Sequence, residues 1–172
     1  MTKLWSHDHV HADTFTLVDD AAALPASTPV IVSLKRWREH RAEVLALAVP
    51  VGVAADPAAI LDPAVDQLDT LALIVIPFAK FTDGRGYSLA RRLRDEFGFR
   101  GEVRATGEVL IDQIALMLRC GFDSFVVSHA PTLRALEDGR MSSVPEVYQT
   151  AVSGRARTTQ RLARAPVLEA AE

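Results

Sequence analysis

The stretch that most constrains the fold is Thr70 to Phe78, TLALIVIPF, which is apolar nearly throughout. A half-exposed strand alternates polar and apolar residues. A run without alternation suits a parallel strand covered on both faces. Behind it stands Phe81-Thr82-Asp83-Gly84-Arg85-Gly86-Tyr87-Ser88, and then an amphipathic run from Leu89 to Phe97. Leu89, Ala90, Leu93 and Phe97 fall on one helical face. A strand, a glycine-bearing turn and a helix make the unit from which α/β proteins are assembled, and the turn commonly carries their chemistry.

The unit recurs along the chain. Val30 to Leu34 reads as a buried strand. Ser33 is placed to cap a helix over 35–48 that buries Trp37, Val44, Leu45 and Ala48 and exposes Lys35, Arg36, Arg38, Glu39 and Arg41. Val49 to Ala54 is a second short strand, and Pro57 opens a helical turn. Glu102 to Thr106 and Phe122 to Val127 are further strands, separated by a helix over about 108–119. Pro131 opens a last helix to Leu136, and Thr14 to Val18 is a short edge strand. Such alternation predicts one α/β domain of about five parallel strands with intervening helices. A full eightfold barrel usually needs about 250 residues, and the chain has 172. An open sheet is therefore expected, or a partial barrel that pairs with another copy. The expected division is an N-terminal edge segment at 1–28, the α/β domain at 29–150 and a terminal helix or tail at 151–172.

A net charge of −3 gives no support to nucleic-acid binding, which usually needs a strongly basic face. Cys120 is the one cysteine, which rules out a disulfide or a cysteine cluster within one chain and fits a reducing compartment. The N-terminus lacks the apolar core of a signal peptide, and no run approaches the roughly 18 apolar residues of a membrane span. A cytoplasmic protein without a membrane partner is expected.

Right-handed crossovers bring the loops after Phe78, Thr106 and Val127 to one sheet edge. Gly84 and Gly86 permit a positive φ and close backbone approach, Ser88 or Thr82 is placed to cap the next helix, and Lys80 and Arg85 bring positive charge. Uncapped N–H groups beside these cations make an anion site. Asp83 either grips Arg85, shapes the turn or moves a proton. The turn matches neither G-x-x-x-x-G-K-[ST] nor G-x-G-x-x-G. In the 108–119 helix, Glu108, Asp112 and Arg119 share a stripe on an otherwise apolar surface. Buried carboxylates there demand a cation, and Arg104 or Arg85 are the candidates. The candidate site thus comprises Asp83 and Asp112 as proton-handling carboxylates and Lys80, Gly84, Arg85, Gly86, Arg104 and Gln113 as ligand-binding residues. The same residues also suit a structural ion-pair network that docks the helix, and both readings stand. His7, His9 and His11 alternate, so a strand would bring them to one face, yet their place near the terminus favours an exposed polar edge over a metal site. His129 follows a strand, where it is an acid–base candidate or incidental.

Three stretches carry a resemblance: Phe81 to Arg91; Gly101 to Gln113, GEVRATGEVLIDQ; and Arg119 to Asp123, RCGFD. Weaker likeness lies at Pro29 to Trp37 and at Val147-Tyr148-Gln149. Together, over roughly 14–150, the chain resembles a bacterial family of unknown function whose members are often described as oxidoreductases of sulfite reduction. Family members commonly carry an acidic residue before Phe-Pro-Lys-Phe, where this chain has Pro77-Phe78-Ala79-Lys80-Phe81, so no role for that acid carries over. The resemblance implies a place in assimilatory sulfate reduction beside sulfite reductase, either as an oxidoreductase or accessory protein with a small-anion or cofactor site at the Asp-Gly-Arg-Gly turn, or as a non-catalytic partner of that enzyme. It identifies no cofactor.

Overall fold

Strands form where β-branched and apolar runs stand between turn residues, and helices follow most of them. The computed structural model describes residues 3–6, 9–80 and 82–140. The strands are β1 (Lys3–Ser6), β2 (His9–His11), β3 (Thr16–Leu17), β4 (Val30–Ser33), β5 (Val51–Ala54), β6 (Leu73–Phe78), β7 (Glu102–Gly107) and β8 (Ser124–Val127). The helices are α1 (Leu34–Leu45), α2 (Arg85–Asp95), α3 (Ile111–Arg119) and α4 (Ala130–Glu137).

The strands make one eight-stranded sheet in the order β2-β1-β8-β7-β6-β5-β4-β3. From β3 to β8 neighbours are parallel and follow chain order. Right-handed crossovers in unbroken order put the connecting helices on one face, which is the winding of a barrel and not of a doubly wound sheet. Laid flat at about 4.8 Å per strand, the outer strands β2 and β3 would lie about 34 Å apart. The chain joins them through residues 12–15, a link from His11 to Thr16 that reaches at most about 18 Å. The sheet must therefore curl into a half-barrel, with residues 12–15 crossing its concave side.

This corrects the expected strand count. Parallel pairing runs through six strands, β3 to β8, and an antiparallel β1–β2 pair extends the sheet beyond β8. Lys3 to Ser6 carries no strand signal of its own. It takes its register from β8, with Trp5 opposite Phe125 and their rings 5.7 Å apart. The edge strand expected at 14–18 shrinks to Thr16–Leu17. Residues 1–28 supply both edges of the sheet, since β2 and β3 lie at its opposite ends.

Both faces of β6 are covered, as its unalternating run requires. Ile74, Ile76 and Phe78 join the large core under the helices with Trp37, Leu93 and Ile114. Leu73 and Val75 face the concave side, where with Ile31 they form a small second cluster against Phe15.

Helix boundaries shift for local reasons. Ser33 caps α1 by accepting from Arg36 N at 3.0 Å. The helix ends at Leu45, so Leu45 is 41% exposed and Ala48 is exposed with a φ of 52°, contrary to their expected burial. Arg36, expected outside, is buried and donates Nη1 to the Asp19 carbonyl at 2.6 Å. Helix α2 begins at Arg85, so Ser88 lies within it and caps nothing. Helix α3 starts at Ile111; Glu108 precedes it, and only Ile114 and Met117 are fully buried. An apolar helix on the outer layer of one sheet needs only its inner stripe covered. Asp112 and Glu108 therefore face solvent and need no buried counter-charge.

Two charged anchors tie the loops down. The buried Asp66 carboxylate accepts from Arg38 Nε at 2.6 Å, Arg38 Nη2 at 2.8 Å and Asp62 N at 2.9 Å, and its carbonyl accepts from Trp37 Nε1 at 2.8 Å. Hydrogen bonding from Arg38 holds that carboxyl below its usual range. At the N-terminal edge of β7, Arg94 Nη2 meets Asp123 Oδ2 at 2.5 Å with both side chains under 10% exposed. Arg94 also donates to the carbonyls of Phe99, Gly101 and Gly121, and Asp123 accepts from Val103 N.

Candidate functional site

The turn after β6 sits at the C-terminal edge of the parallel strands, where the sequence places it. Asp83 N donates to the Lys80 carbonyl at 3.1 Å, closing the turn. Asp83 Oδ1 accepts from Arg85 N at 3.1 Å and from Arg85 Nε at 2.9 Å, and Oδ2 accepts from Arg85 Nη2 at 2.7 Å. This two-pronged geometry favours the ionised carboxylate. Chiefly through the side-chain hydrogen bond from Arg85, the Asp83 carboxyl is pulled down to about 2. The Asp83 contacts thus realise the alternative in which it grips Arg85. Because the folded value is lowered, whatever the pair contributes is present above the ordinary carboxylate range and is lost as pH falls through about 2. Carboxyl NMR titration is expected to find Asp83 ionised down to that pH. In Arg85→Ala its midpoint should return close to the usual value of about 3.9; a midpoint that stays low would assign the shift to another cause.

The two glycines do different things. Gly84 precedes α2 with a φ of −70°, and a side chain there would meet nothing within 4 Å. Gly86 lies inside the helix, and a Cβ on it would stand 2.5 Å from Phe78 Cζ. Its lack of a side chain lets α2 close on β6. Neither glycine has a positive φ. Lys80 is exposed beside the turn.

Tyr87, in the first turn of α2, packs at this edge. It is half-buried, stacks edge-on against Phe78 at 5.5 Å, and its hydroxyl is pushed up first by burial and then by Cys120 and Asp112. Asp112 is exposed in the first turn of α3. Gln113 Oε1 accepts from Leu110 N at 3.4 Å, a local cap. Cys120 is buried, and burial raises its thiol, which suits a small apolar residue and not a nucleophile. His129 precedes α4, with Nδ1 2.9 Å from Thr132 Oγ1.

Arg104 lies elsewhere. It projects from the middle of β7 onto the concave face, 2% exposed. Its Nη1 donates to both Asp13 oxygens at 2.8 and 2.9 Å, Nη2 meets Glu102 at 2.9 Å, and Nε reaches Ser124 Oγ at 3.3 Å. Ser124 Oγ also donates to Glu102, and the Phe15 ring lies 5.5 Å from the Arg104 guanidinium. Asp83, Arg85 and Asp112 are not among these partners. The predicted residues therefore divide: Lys80, Asp83, Gly84 and Arg85 at the turn, Asp112 and Gln113 at the start of α3, and Arg104 on the other face of the sheet.

Sequence reasoning missed Asp13, Glu102, Ser124 and Tyr87. Glu102 is two residues from Arg104 and shares its strand face, which was readable. Asp13 is 91 residues away, and no local signal points to it. His9 and His11 lie on one face of β2, in register with Ser6 and Leu4 of β1, their rings 6.4 Å apart, and both are exposed. His7 lies outside the described residues. Among the described residues no group of three or more His, Cys, Asp or Glu is placed to hold a metal ion, and no helix is long and apolar enough to cross a membrane. The tail expected at 151–172 also lies outside them.

A search of curated proteins finds no match to this sequence. A family model described as bacterial protein of unknown function (DUF934) matches residues 52–158, which take in the turn, α2, β7 and α3. The chain belongs to that bacterial family.

Proposed function

We propose that this protein is a non-catalytic accessory of assimilatory sulfite reduction that binds sulfite reductase through its outer surface. The link to sulfite reduction rests on the resemblance of residues 81–91 and 101–113. One observation favours a non-catalytic role: Arg85, the arginine of the turn, is already held by Asp83 through Nε and Nη2, and Arg104 stands on the other face of the sheet and cannot join it. A guanidinium gripped in this way by a carboxylate two residues away serves first to fix the turn.

A second reading makes the turn a site for a small oxyanion, a phosphorylated ligand or a cofactor of an oxidoreductase. Two features favour it: the open space beside Gly84 and a glycine at the N-cap of α2, which has no side chain of its own to cap the first turn. Lys80 and Arg85 would hold the anion, and Asp83 would release Arg85 to it.

Affinity capture on purified sulfite reductase tests the first reading. A complex retained at low and moderate salt supports it, and repeated absence of the complex at both overturns it. Thermal shift with sulfite, sulfate, phosphate, nucleotides and flavins separates the two. A midpoint raised in wild type and unmoved in Arg85→Ala supports the second reading. No rise with any compound leaves the turn structural.

A further inference from the structure

We propose that the concave face of the half-barrel holds a binding site for a small carboxylate with an aromatic body, occupied here by the chain's own Asp13 and Phe15. Residues 12–15 form a strap between β2 and β3, the two edges of the sheet. On its way the strap lays a carboxylate and a phenyl ring on the middle of the sheet. Asp13 takes Arg104 Nη1 at 2.8 and 2.9 Å, and Phe15 packs on Ile31, Leu73 and Val75. The same ring lies 5.5 Å from the Arg104 guanidinium. One group is charged and one aromatic, set two residues apart, and the chain presents them to a surface built of a cation and an apolar floor.

The floor is assembled for recognition more than for cohesion. Arg104 is 2% exposed, and Ser124 at 1% stands beside it. Burying a guanidinium carries a desolvation cost that an apolar side chain avoids, so a buried arginine on a concave face is weak evidence for stability and better evidence for a role. The Asp13 side chain, by contrast, is 37% exposed, and the strap around it has no regular structure. Exchange is balanced in charge: an incoming carboxylate takes the place of Asp13, and Glu102 and Ser124 keep their bonds to Arg104. The internal carboxylate is tethered and so competes at a high effective concentration. Wild type should therefore bind such a ligand weakly, and removal of the competitor should uncover the site. This inference concerns the concave face alone and does not depend on any partner of the outer surface.

Phenylacetate is the probe, titrated calorimetrically into wild type and into Asp13→Ala. Asp13→Ala is expected to bind it at least tenfold more tightly than wild type, and more tightly than it binds acetate, which lacks the ring. Equal affinity in the two proteins, or no preference for phenylacetate over acetate, overturns the proposal. If Asp13→Ala does not fold, hydrogen exchange on wild type decides. The Phe15 amide donates to Asp13 Oδ1 at 3.0 Å and the Thr16 amide to the Pro29 carbonyl at 2.9 Å. Phenylacetate must speed exchange at both as the strap leaves, and unchanged exchange at saturating probe overturns the proposal.

Discussion

Replacing Arg94 by methionine is expected to cost about 3–5 kcal/mol of folding stability, the range for a buried ion pair that loses one partner. The guanidinium serves four acceptors at once: the Asp123 carboxylate and the carbonyls of Phe99, Gly101 and Gly121. Methionine fills similar volume and donates nothing. Asp123, 5% exposed at its side chain, is then left with a charge but without its cation, although Val103 N still donates to it. Urea unfolding measures the loss, and a change below about 1 kcal/mol would place the pair among ordinary surface contacts. The pH dependence gives a second check. Losing a cation raises the folded pKa of a buried carboxyl, so the folded variant binds that proton more tightly than the folded wild type. The deficit of the variant should therefore shrink as pH falls below that raised value.

Gly107→Ala should cost about 3 kcal/mol, from overpacking and backbone strain together. Gly107 closes β7 at a φ of +88°, and a Cβ there would lie 2.3 Å from the Phe78 carbonyl oxygen. That oxygen is backbone, paired in register and accepting from Glu108 N, so it has no rotamer into which to retreat. Gly84→Ala is the control, since its Cβ would meet open space at a φ of −70°. Thermal unfolding of both variants tests the contrast, and equal midpoints would refute it.

The β6 unit was the most legible part of the chain, because an apolar run that does not alternate has few homes. That run also implied cover on a second face, and the sequence did not say what would provide it. Phe15 does, from a segment that reads as polar and mixed. Strands β1 and β2 were illegible for the same reason: β1 takes its order from β8 and β2 from β1, and not from their own residues. At the turn, the Asp83–Arg85 grip was readable because it spans two residues. Gly86 makes the close approach expected of it, to Phe78 and from inside a helix, but without the positive φ expected of a turn glycine. Its offsets of four to Ala90 and seven to Leu93 put it on the inner stripe of a helix, once that helix starts at Arg85. Glu108 and Asp112 were read as buried carboxylates in need of Arg104 or Arg85, but both are exposed, and Arg104 is held by Glu102 and by Asp13, which lies 91 residues away, beyond the reach of sequence spacing.

That one short N-terminal segment provides both borders of the sheet has a consequence for synthesis. A chain made from its N-terminus can pair β4 with β5, then β6, then β7, each with the strand that came just before. Residues 3–6 cannot dock until Ser124 to Val127 exist, and the Lys3 to Glu137 bond closes a separation of 134 residues. Until then the growing sheet carries a bare edge, the kind of surface that templates pairing with another chain. The last strand to find its place is thus made before every strand it waits for, and the interval between those two events is when the bare edge most exposes this protein to aggregation.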